Sequence, residues 1–274
     1  MTRNTRKPSP NRNRRSSNVI DEYEEVMQSF TKHKVSKVKD TETRPSTYGK
    51  MVRLGDVVEV DPATDTQRNF FEAFENDDAI AYLLYGSAGT GKSFIAIYHA
   101  LMEILDEENG NFKKLVIIRS AVTGRDVGAL PGDLDEKLSA YELPYREILS
   151  ELTGKKYAYD KLKEIGKIEF MSTSYLRGLT LKDSIIVFDE SQNVSWVEAS
   201  SVLTRLHDSS RIIICGDSKQ NDLHFKKSDQ SGFLQMVEVL KRIPEARCFK
   251  FTSDDIVRSG FCKSFICACE EMGI

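Results

Sequence analysis

The sequence predicts an α/β domain in which a mostly parallel β-sheet carries helices on both faces. From about residue 50 onward, short runs rich in β-branched residues alternate with longer amphipathic stretches, which is typical of strands joined by crossover helices. The strand runs are apolar through their middles, as strands covered on both faces must be. A glycine-rich loop also separates the first strand run from the first long helix.

Five apolar runs are predicted as strands and three amphipathic stretches as helices. The strands are Ala81–Tyr85, Leu115–Arg119, Ile168–Ser172, Ile185–Asp189 and Arg211–Cys215, with Phe249–Phe251 as a candidate sixth. The helices are Lys92–Leu105, Trp196–Leu206 and Ser231–Leu240. Residues 120 to 166 are expected to form a long insertion with polar turns, a length typical of a substrate-binding excursion.

Composition favours a globular protein and restricts where it acts. Charged residues make up 30% of the 274 residues and hydrophobic residues 40%. No apolar run approaches the roughly 18 residues that cross a membrane. The charged N-terminus carries no secretory signal, and five cysteines without regular spacing do not form a disulfide framework. We therefore expect a cytoplasmic protein with no membrane partner.

The first 48 residues differ from the rest of the chain. They are rich in Arg, Lys, Ser, Thr and Asn and show no sustained apolar period, which predicts a flexible, largely disordered tail before the α/β domain at residues 49–274. Six cations and no acid occur among the first fifteen residues, between Arg3 and Arg15. Such a run is either a solvated arm or an arm that holds nucleic acid.

The strongest motif is Gly86–Ser93, with the sequence GSAGTGKS, which follows an apolar strand and opens an amphipathic helix. This context is typical of a P-loop, or Walker A motif, in which backbone N–H groups and the helix N-terminus bind phosphates. Lys92 is expected to reach the β- and γ-phosphates of ATP, and Ser93 to bind Mg²⁺. The predicted nucleotide contacts are Gly86, Ser87, Ala88, Gly89, Thr90, Gly91, Lys92 and Ser93.

Two acids end a second apolar strand at Asp189 and Glu190. A P-loop enzyme needs a carboxylate at such a strand end to hold its magnesium, and Asp189 is predicted to do so. Glu190, one residue further, is predicted to orient or deprotonate an attacking water, which indicates hydrolysis. The alternative for Glu190 is a solvated acid at a strand end.

Two glutamines are further candidates. Gln220 follows the strand that ends at Cys215 and is expected to sense the γ-phosphate, reporting hydrolysis to the loop Asn221–Lys227. Gln67 lies about twenty residues before the P-loop, where its amide could recognise adenine. Taken alone, the first stretch could be an ordinary turn and Gln67 an exposed residue at a helix start.

A cation near the developing charge accelerates ATP hydrolysis strongly, so arginines are further candidates. Arg258, near the C-terminus, is expected to complete the ATP site of a neighbouring subunit. Arg205, on the helix after the acidic pair, is the second candidate for this role, although it follows the pair closely enough to act within its own subunit. An ion pair of Arg258 with a nearby aspartate on one surface turn is the alternative. Arg119 and Arg177 are the remaining candidates.

Taken in order, these stretches resemble the PhoH-like family of P-loop ATPases, which is similar to the first motor domain of superfamily 1 helicases. The resemblance runs from about Pro62 to Glu271, and the short length and diverged tail resemble a phage-encoded member, hence one acting in a host cytoplasm. Beyond the P-loop, it rests on Arg119–Val122, Leu130–Leu134, Glu136–Lys137, Arg177–Leu181, Asp189–Asn193, Leu203–Arg205, Gly216–Asp217, Gln220, Asp222–Leu223, Ser231–Gly232 and Asp255–Arg258.

The resemblance implies a RecA-like fold, ATP hydrolysis with involvement of RNA or single-stranded nucleic acid, and ring-shaped homo-oligomers such as hexamers. The family usually has proline, arginine, alanine and histidine where Ser120, Leu179, Ser191 and Ser259 stand. The missing arginine at 179 weakens any nucleic-acid or inter-subunit contact there. A helicase binds nucleotide between two motor domains. Because this chain ends at Ile274, either a neighbouring subunit supplies the missing arginine or the ATPase is slow.

The leading functional hypothesis is therefore an ATPase that couples hydrolysis to binding or remodelling of RNA or single-stranded nucleic acid. An alternative is a nucleotide-gated protein-interaction module with a slow ATPase and no motor activity. A small-molecule kinase shares the P-loop, but Glu190 and Gln220 suit water better than an acceptor hydroxyl.

Overall fold

The computed structural model describes residues 51–120, 134–176, 178–217, 232–258 and 260–272. Within them, six strands form one sheet, and every neighbouring pair of strands is parallel. The strands are β1 Ala81–Gly86, β2 Lys114–Arg119, β3 Ile168–Ser172, β4 Ser184–Asp189, β5 Arg211–Gly216 and β6 Ala246–Phe251. Their order across the sheet is β3-β2-β4-β5-β1-β6. The predicted parallel sheet is confirmed, including the sixth strand.

Seven α-helices accompany the sheet in the described residues. They are α1 Asp65–Asn76, α2 Lys92–Leu105, α3 Leu134–Thr153, α4 Ala158–Glu164, α5 Trp196–Leu203, α6 Phe233–Leu240 and α7 Gly260–Met272. Within these residues, no helix is both long enough and apolar enough to cross a membrane. The tail predicted for residues 1–48 lies outside the described residues.

The two faces of the sheet are covered by different helices, because successive residues of a strand point to opposite sides. In β1, Tyr82 and Leu84 join one core cluster with residues of α1, α2, α3 and α4. Ala81 and Leu83 join the other cluster, which contains residues of α5 and α6. Helices therefore lie on both faces. The interiors of β1, β2, β4 and β5 are largely buried, as their apolar sequences predict, whereas the edge strands β3 and β6 are only partly buried.

The carboxyl ends of β1, β4 and β5 all lie at one edge of the sheet. The parallel pairing requires this, and β5 stands between β1 and β4. The P-loop follows β1, the acidic pair ends β4, and Gly216 and Asp217 end β5. The motifs that the sequence placed at strand ends are thus neighbours in space.

The region after β2 differs from its prediction. Residues 120 to 166 were expected to be an insertion with polar turns, yet α3 alone occupies 20 of them and α4 another seven. Pro144 lies inside α3, and a proline in a helical pattern normally indicates a helix end. Two predicted helices are also shorter than expected, since α5 ends at Leu203 and α6 begins at Phe233.

Candidate nucleotide site

The loop after β1 takes the backbone path of a phosphate-binding loop. Gly86 has φ +127°, and a Cβ at this position would stand 1.9 Å from the carbonyl oxygen of Phe251 on the neighbouring strand. Gly91 has φ +81° and immediately precedes α2, which begins at Lys92. Because side-chain-bearing residues rarely adopt these φ values, glycine is needed at both positions. The N-terminus of α2 then contributes partial positive charge to the loop.

The P-loop itself holds the side chain of Lys92 in place. Its Nζ donates hydrogen bonds to the carbonyl oxygens of Gly86 at 3.3 Å and Ser87 at 2.6 Å, and to Thr90 Oγ1 at 3.2 Å. Burial lowers the pKa of the ammonium group, and the charge of Asp217 opposes this effect. The ammonium therefore stands at the centre of the loop, where P-loops bind phosphate oxygens.

Asp189 is buried and contacts the P-loop directly. Its Oδ1 accepts a hydrogen bond from Ser93 Oγ at 2.7 Å, so the two residues predicted to hold the metal meet at one point. Its Oδ2 accepts from the hydroxyl of Tyr145 on α3 at 2.9 Å. A hydroxyl and a carboxylate are the hard oxygen ligands that Mg²⁺ prefers, so the residues fit this ion.

Glu190 stands one residue beyond Asp189 with φ +53°, in the left-handed region that few non-glycine residues adopt. Its Oε2 accepts a hydrogen bond from Gln192 Nε2 at 2.7 Å, and Gln192 Oε1 in turn accepts from the backbone N–H of Asp217 at 3.0 Å. Burial, together with the charge of Asp189, raises the pKa of the Glu190 carboxyl, while Arg119 opposes the shift. A carboxylate with a raised pKa is a suitable general base.

Gln67 is buried between α1 and the P-loop. Its Oε1 accepts from the backbone N–H of Ala63 at 2.8 Å, and its Nε2 donates to the carbonyl oxygen of Thr90 at 2.9 Å. Gln67 thus fastens the start of α1 to the loop. Each amide atom retains the capacity for one more hydrogen bond, so adenine recognition by Gln67 stays a prediction.

A cavity of about 680 Å³ connects these groups. It is lined by Gln67 and the segment before α1, by the P-loop, and by Asp189, Glu190 and Asp217. Helix α3 forms a wall through Pro144, Glu147, Ile148 and Glu151. These four positions have i, i+3, i+4, i+7 spacing, so they lie on one face of the helix. The volume lies within the range usual for small-ligand sites.

The two arginines that the sequence favoured lie in different places, and Arg258 but not Arg205 lines the cavity. Arg258 lines the cavity of its own chain, with its side chain against Gly89, and the backbone N–H of Val257 donates to the Gly89 carbonyl oxygen at 3.1 Å. Within the described residues, Arg258 makes no ion pair with Asp254 or Asp255. Action of Arg258 across a subunit interface stays a prediction, and in this structure the residue lines the cavity of its own chain.

Arg205 requires a correction. Its Nε donates to the carbonyl oxygen of Leu176 and its Nη1 to that of Ser201, both at 2.6 Å. It follows the far end of α5, which runs away from the acidic pair, and it does not line the cavity. Its guanidinium is thus committed to backbone carbonyls, and Arg205 is not a candidate for the ATP site of its own chain.

Several predicted residues lie outside the described residues. They are Gln220, the loop Asn221–Lys227, Arg177 and the basic arm Arg3–Arg15. Arg119 is described: its guanidinium lies over the Tyr141 ring at 5.5 Å, and it pairs in register with Asp189. It thus stands beside the acidic pair, at the same edge of the sheet.

The sequence missed three contributors to the site. Tyr145 lies on a helix that was not predicted, and Gln192 lies in the turn after the acidic pair. Glu270, on α7, accepts a hydrogen bond from Ser87 Oγ at 2.5 Å and so joins the C-terminal helix to the P-loop. Gln192 had a detectable signal, because it is an amide two residues from a predicted base. Tyr145 and Glu270 had none, since only the fold brings them to the loop.

The fold and the geometry of this sheet edge define a P-loop nucleotide-binding protein, and the match of residues 59–270 to the family model "PhoH-like protein" specifies it further. The chain belongs to the PhoH-like family.

Curated relatives support the same assignment. The chain is 36% identical over 193 residues to a PhoH-like protein of Bacillus subtilis (strain 168), covering 70% of this chain and 58% of that one. It is 32% identical over 237 residues to a PhoH-like protein of Synechocystis, covering 85% and 69%. It is 29% identical over 201 residues to Protein PhoH of Escherichia coli (strain K12), covering 73% and 55%. The chain thus spans little more than half the length of two of these relatives.

Proposed function

We propose that the protein binds ATP with Mg²⁺ and hydrolyses the β–γ phosphoanhydride bond. The observation that carries this proposal is the 2.7 Å hydrogen bond from Ser93 Oγ to Asp189 Oδ1. It brings the oxygen ligands of a metal together beside Lys92 and Glu190, in the same cavity. This is the set of groups that phosphoryl transfer to water requires.

Each group has a separate task in this proposal. Backbone N–H groups of the P-loop and the Lys92 ammonium bind the β- and γ-phosphates. Ser93 and Asp189 would hold Mg²⁺, which would supply positive charge to the phosphate oxygens. Gln67 lines the same cavity, and we assign its amide to the adenine base.

The chemical step needs one base and one acceptor of developing charge. A water oxygen bonds to the γ-phosphorus, a water proton passes to the Glu190 carboxylate, and the bond from the γ-phosphorus to the β–γ bridging oxygen breaks. ADP and inorganic phosphate result. Gln192 orients Glu190 through the 2.7 Å bond to Oε2, and Arg258 stabilises the charge on the phosphoryl oxygens from its place beside Gly89.

The direct test is an ATPase assay that follows free phosphate, with and without Mg²⁺, RNA and single-stranded DNA. Wild-type protein should release phosphate only with divalent metal present, and the Glu190→Gln protein is the matched control. Absence of phosphate release under every condition would refute hydrolysis. Transfer of the phosphoryl group to an added acceptor in place of water would indicate a kinase.

We also propose that nucleic acid stimulates this activity. The resemblance to helicase motor domains and the six cations among the first fifteen residues support it. Each phosphate of a single strand that is neutralised should contribute a log–log salt slope of roughly −0.7. Deleting residues 1–48 should therefore reduce both affinity and slope. Equal affinity and slope in the truncated protein would rule the arm out.

A homo-oligomeric ring is a further part of the proposal, and within it we assign Arg258 to the site of its own chain. Inactive Lys92→Ala protein mixed with inactive Arg258→Ala protein tests this assignment. We expect no recovery of ATPase activity, provided that subunit exchange is shown by mass measurement. Recovery would mean that Arg258 acts across an interface.

The second candidate is a nucleotide-gated interaction module, which the contact between α7 and the P-loop favours. Ser87 Oγ donates to Glu270, and Ile266 stands beside Gly89. On α7, Phe261 and Phe265 are 84% and 59% exposed. A movement of α7 on nucleotide binding would therefore alter an exposed apolar surface. Nucleotide-dependent protection of α7 in hydrogen exchange, without turnover, would favour this function over the first.

A further inference from the structure

Among the described residues, one side-chain hydrogen bond joins α3 to the acidic pair, and Tyr145 makes it. Its side chain is fully buried, and its hydroxyl donates to Asp189 Oδ2 at 2.9 Å. Asp189 thereby has both oxygens engaged, one by Ser93 from the P-loop and one by Tyr145 from α3. The aspartate that would hold the metal is fixed by two elements that are distant in sequence.

The packing of the Tyr145 ring fixes where its hydroxyl points. The ring belongs to a core cluster together with Leu149 and Leu152 of the same helix, and its centroid lies 5.9 Å from that of Phe170 on β3. A tyrosine side chain has only two torsions that move its ring, and dense packing restricts both. The ring is therefore held in one position, with its hydroxyl directed at Asp189.

We propose that Tyr145 is a positioning residue of the metal site: its hydroxyl holds the Asp189 carboxylate with Oδ1 toward Ser93, and so sets the affinity of the site for divalent metal. The inference rests on the proposed use of Mg²⁺ with ATP. It adds a residue that the motifs do not contain. Partners that orient metal ligands usually matter nearly as much as the ligands, because they fix the ligand in its binding geometry.

The same helix also ties the metal site to the nucleotide cavity. Tyr145 is one residue from Pro144 and two from Glu147, which lie on the face of α3 that lines the cavity. A nucleotide that contacts this face restrains the helix that carries the hydroxyl. Metal binding and nucleotide binding are therefore coupled through α3, and such coupling is reciprocal.

The test compares Tyr145→Phe with wild type and with Tyr82→Phe. Tyr82 is also fully buried, but its hydroxyl donates to the carbonyl oxygens of Ala73 and Asp77, so its loss removes a buried hydrogen bond away from Asp189. Metal affinity is measured without turnover, by electron paramagnetic resonance of Mn²⁺ titrated into protein with a non-hydrolysable ATP analogue. The Mg²⁺ concentration for half-maximal ATPase activity is measured in parallel.

Tyr145→Phe should weaken Mn²⁺ affinity roughly tenfold or more, the range usual for loss of a partner of a metal ligand. The Mg²⁺ requirement should rise in proportion, while kcat at saturating Mg²⁺ stays within a few-fold of wild type. Tyr82→Phe should leave both metal values unchanged. A Tyr145→Phe protein that folds and binds Mn²⁺ within twofold of wild type would overturn the proposal.

A second measurement does not depend on a destabilising variant. Replacing Tyr145 by 3-fluorotyrosine keeps the ring and hydroxyl, and its fluorine resonance should shift when Mg²⁺ is added with the analogue. The same label at Tyr82 should not shift, and equal behaviour of the two labels would count against Tyr145. If wild type binds Mn²⁺ but hydrolyses no ATP, the proposed function fails while the comparison of metal affinities still decides the role of Tyr145.

Discussion

The P-loop and the acidic pair lie in one cavity but are built in different ways. At the P-loop, glycine conformations and backbone carbonyls within eight consecutive residues, Gly86–Ser93, hold Lys92 in place. At the acidic pair, side chains from three separate segments hold Asp189 and Glu190, through Ser93, Tyr145 and Gln192. A site of the first kind depends on local geometry. A site of the second kind depends on the packing of the whole domain.

The largest effects should come from the charged group at the centre of each region, Lys92 in the P-loop and Glu190 in the acidic pair. Lys92→Ala should lose ATP binding, because it removes the cation at the phosphates. Glu190→Gln should keep binding and lower kcat by about 10²–10⁴-fold, the usual contribution of a general base. Binding of a fluorescent nucleotide measures the first effect, and phosphate release measures the second. Turnover by Glu190→Gln within a few-fold of wild type would leave the acidic region without its proposed role.

Gly86→Ala tests the backbone conformation at the start of the P-loop and its close approach to β6. The added Cβ would stand 1.9 Å from the Phe251 carbonyl oxygen, at φ +127°. We expect a loss of about 3 kcal/mol in the free energy of unfolding, as overpacking and backbone strain each cost about 1–3 kcal/mol. Gly55→Ala is the matched control, because nothing lies within 4 Å of its Cβ position. Equal denaturant midpoints for the two variants would contradict this expectation.

Gln192→Ala tests the dependence of the acidic region on side-chain packing. It removes the bond that orients Glu190 and the link from Glu190 to the Asp217 backbone. We expect kcat to fall by roughly tenfold or more, since small misplacements of a catalytic group can cost about 10²-fold. KM for ATP should stay near its wild-type value, because Lys92 and the loop are untouched. A rise in KM with kcat unchanged would place Gln192 in binding.

The pH profile should show the smallest effect of the four. Glu190 must be ionised to accept a proton, and burial beside Asp189 raises its pKa. Activity should therefore fall as pH drops through a value above the ordinary range of glutamate. The Gln192 hydrogen bond lowers this pKa, so Gln192→Ala should move the acidic limb of kcat to still higher pH. An unmoved limb would mean that another group titrates.

Sequence patterns were reliable where structure is local. All five predicted strands and the candidate sixth are present. The four central strands carry continuous apolar runs because they are buried on both faces. Helix α2 has the predicted bounds, Lys92–Leu105, since a P-loop defines where its helix begins. Helix α3 was missed because Pro144 interrupts its pattern, although tertiary packing retains the helix through that position.

The sequence by itself determined the parallel α/β fold, the P-loop and the identity of the acidic pair, because each is encoded by neighbouring residues. Only the tertiary structure decided which other side chains complete the site. It brought Tyr145 to Asp189 and Arg258 to Gly89, and it engaged Arg205 with carbonyls elsewhere. The physical reason is that a long side chain can satisfy its hydrogen bonds with many partners, and the packing of distant elements selects among them.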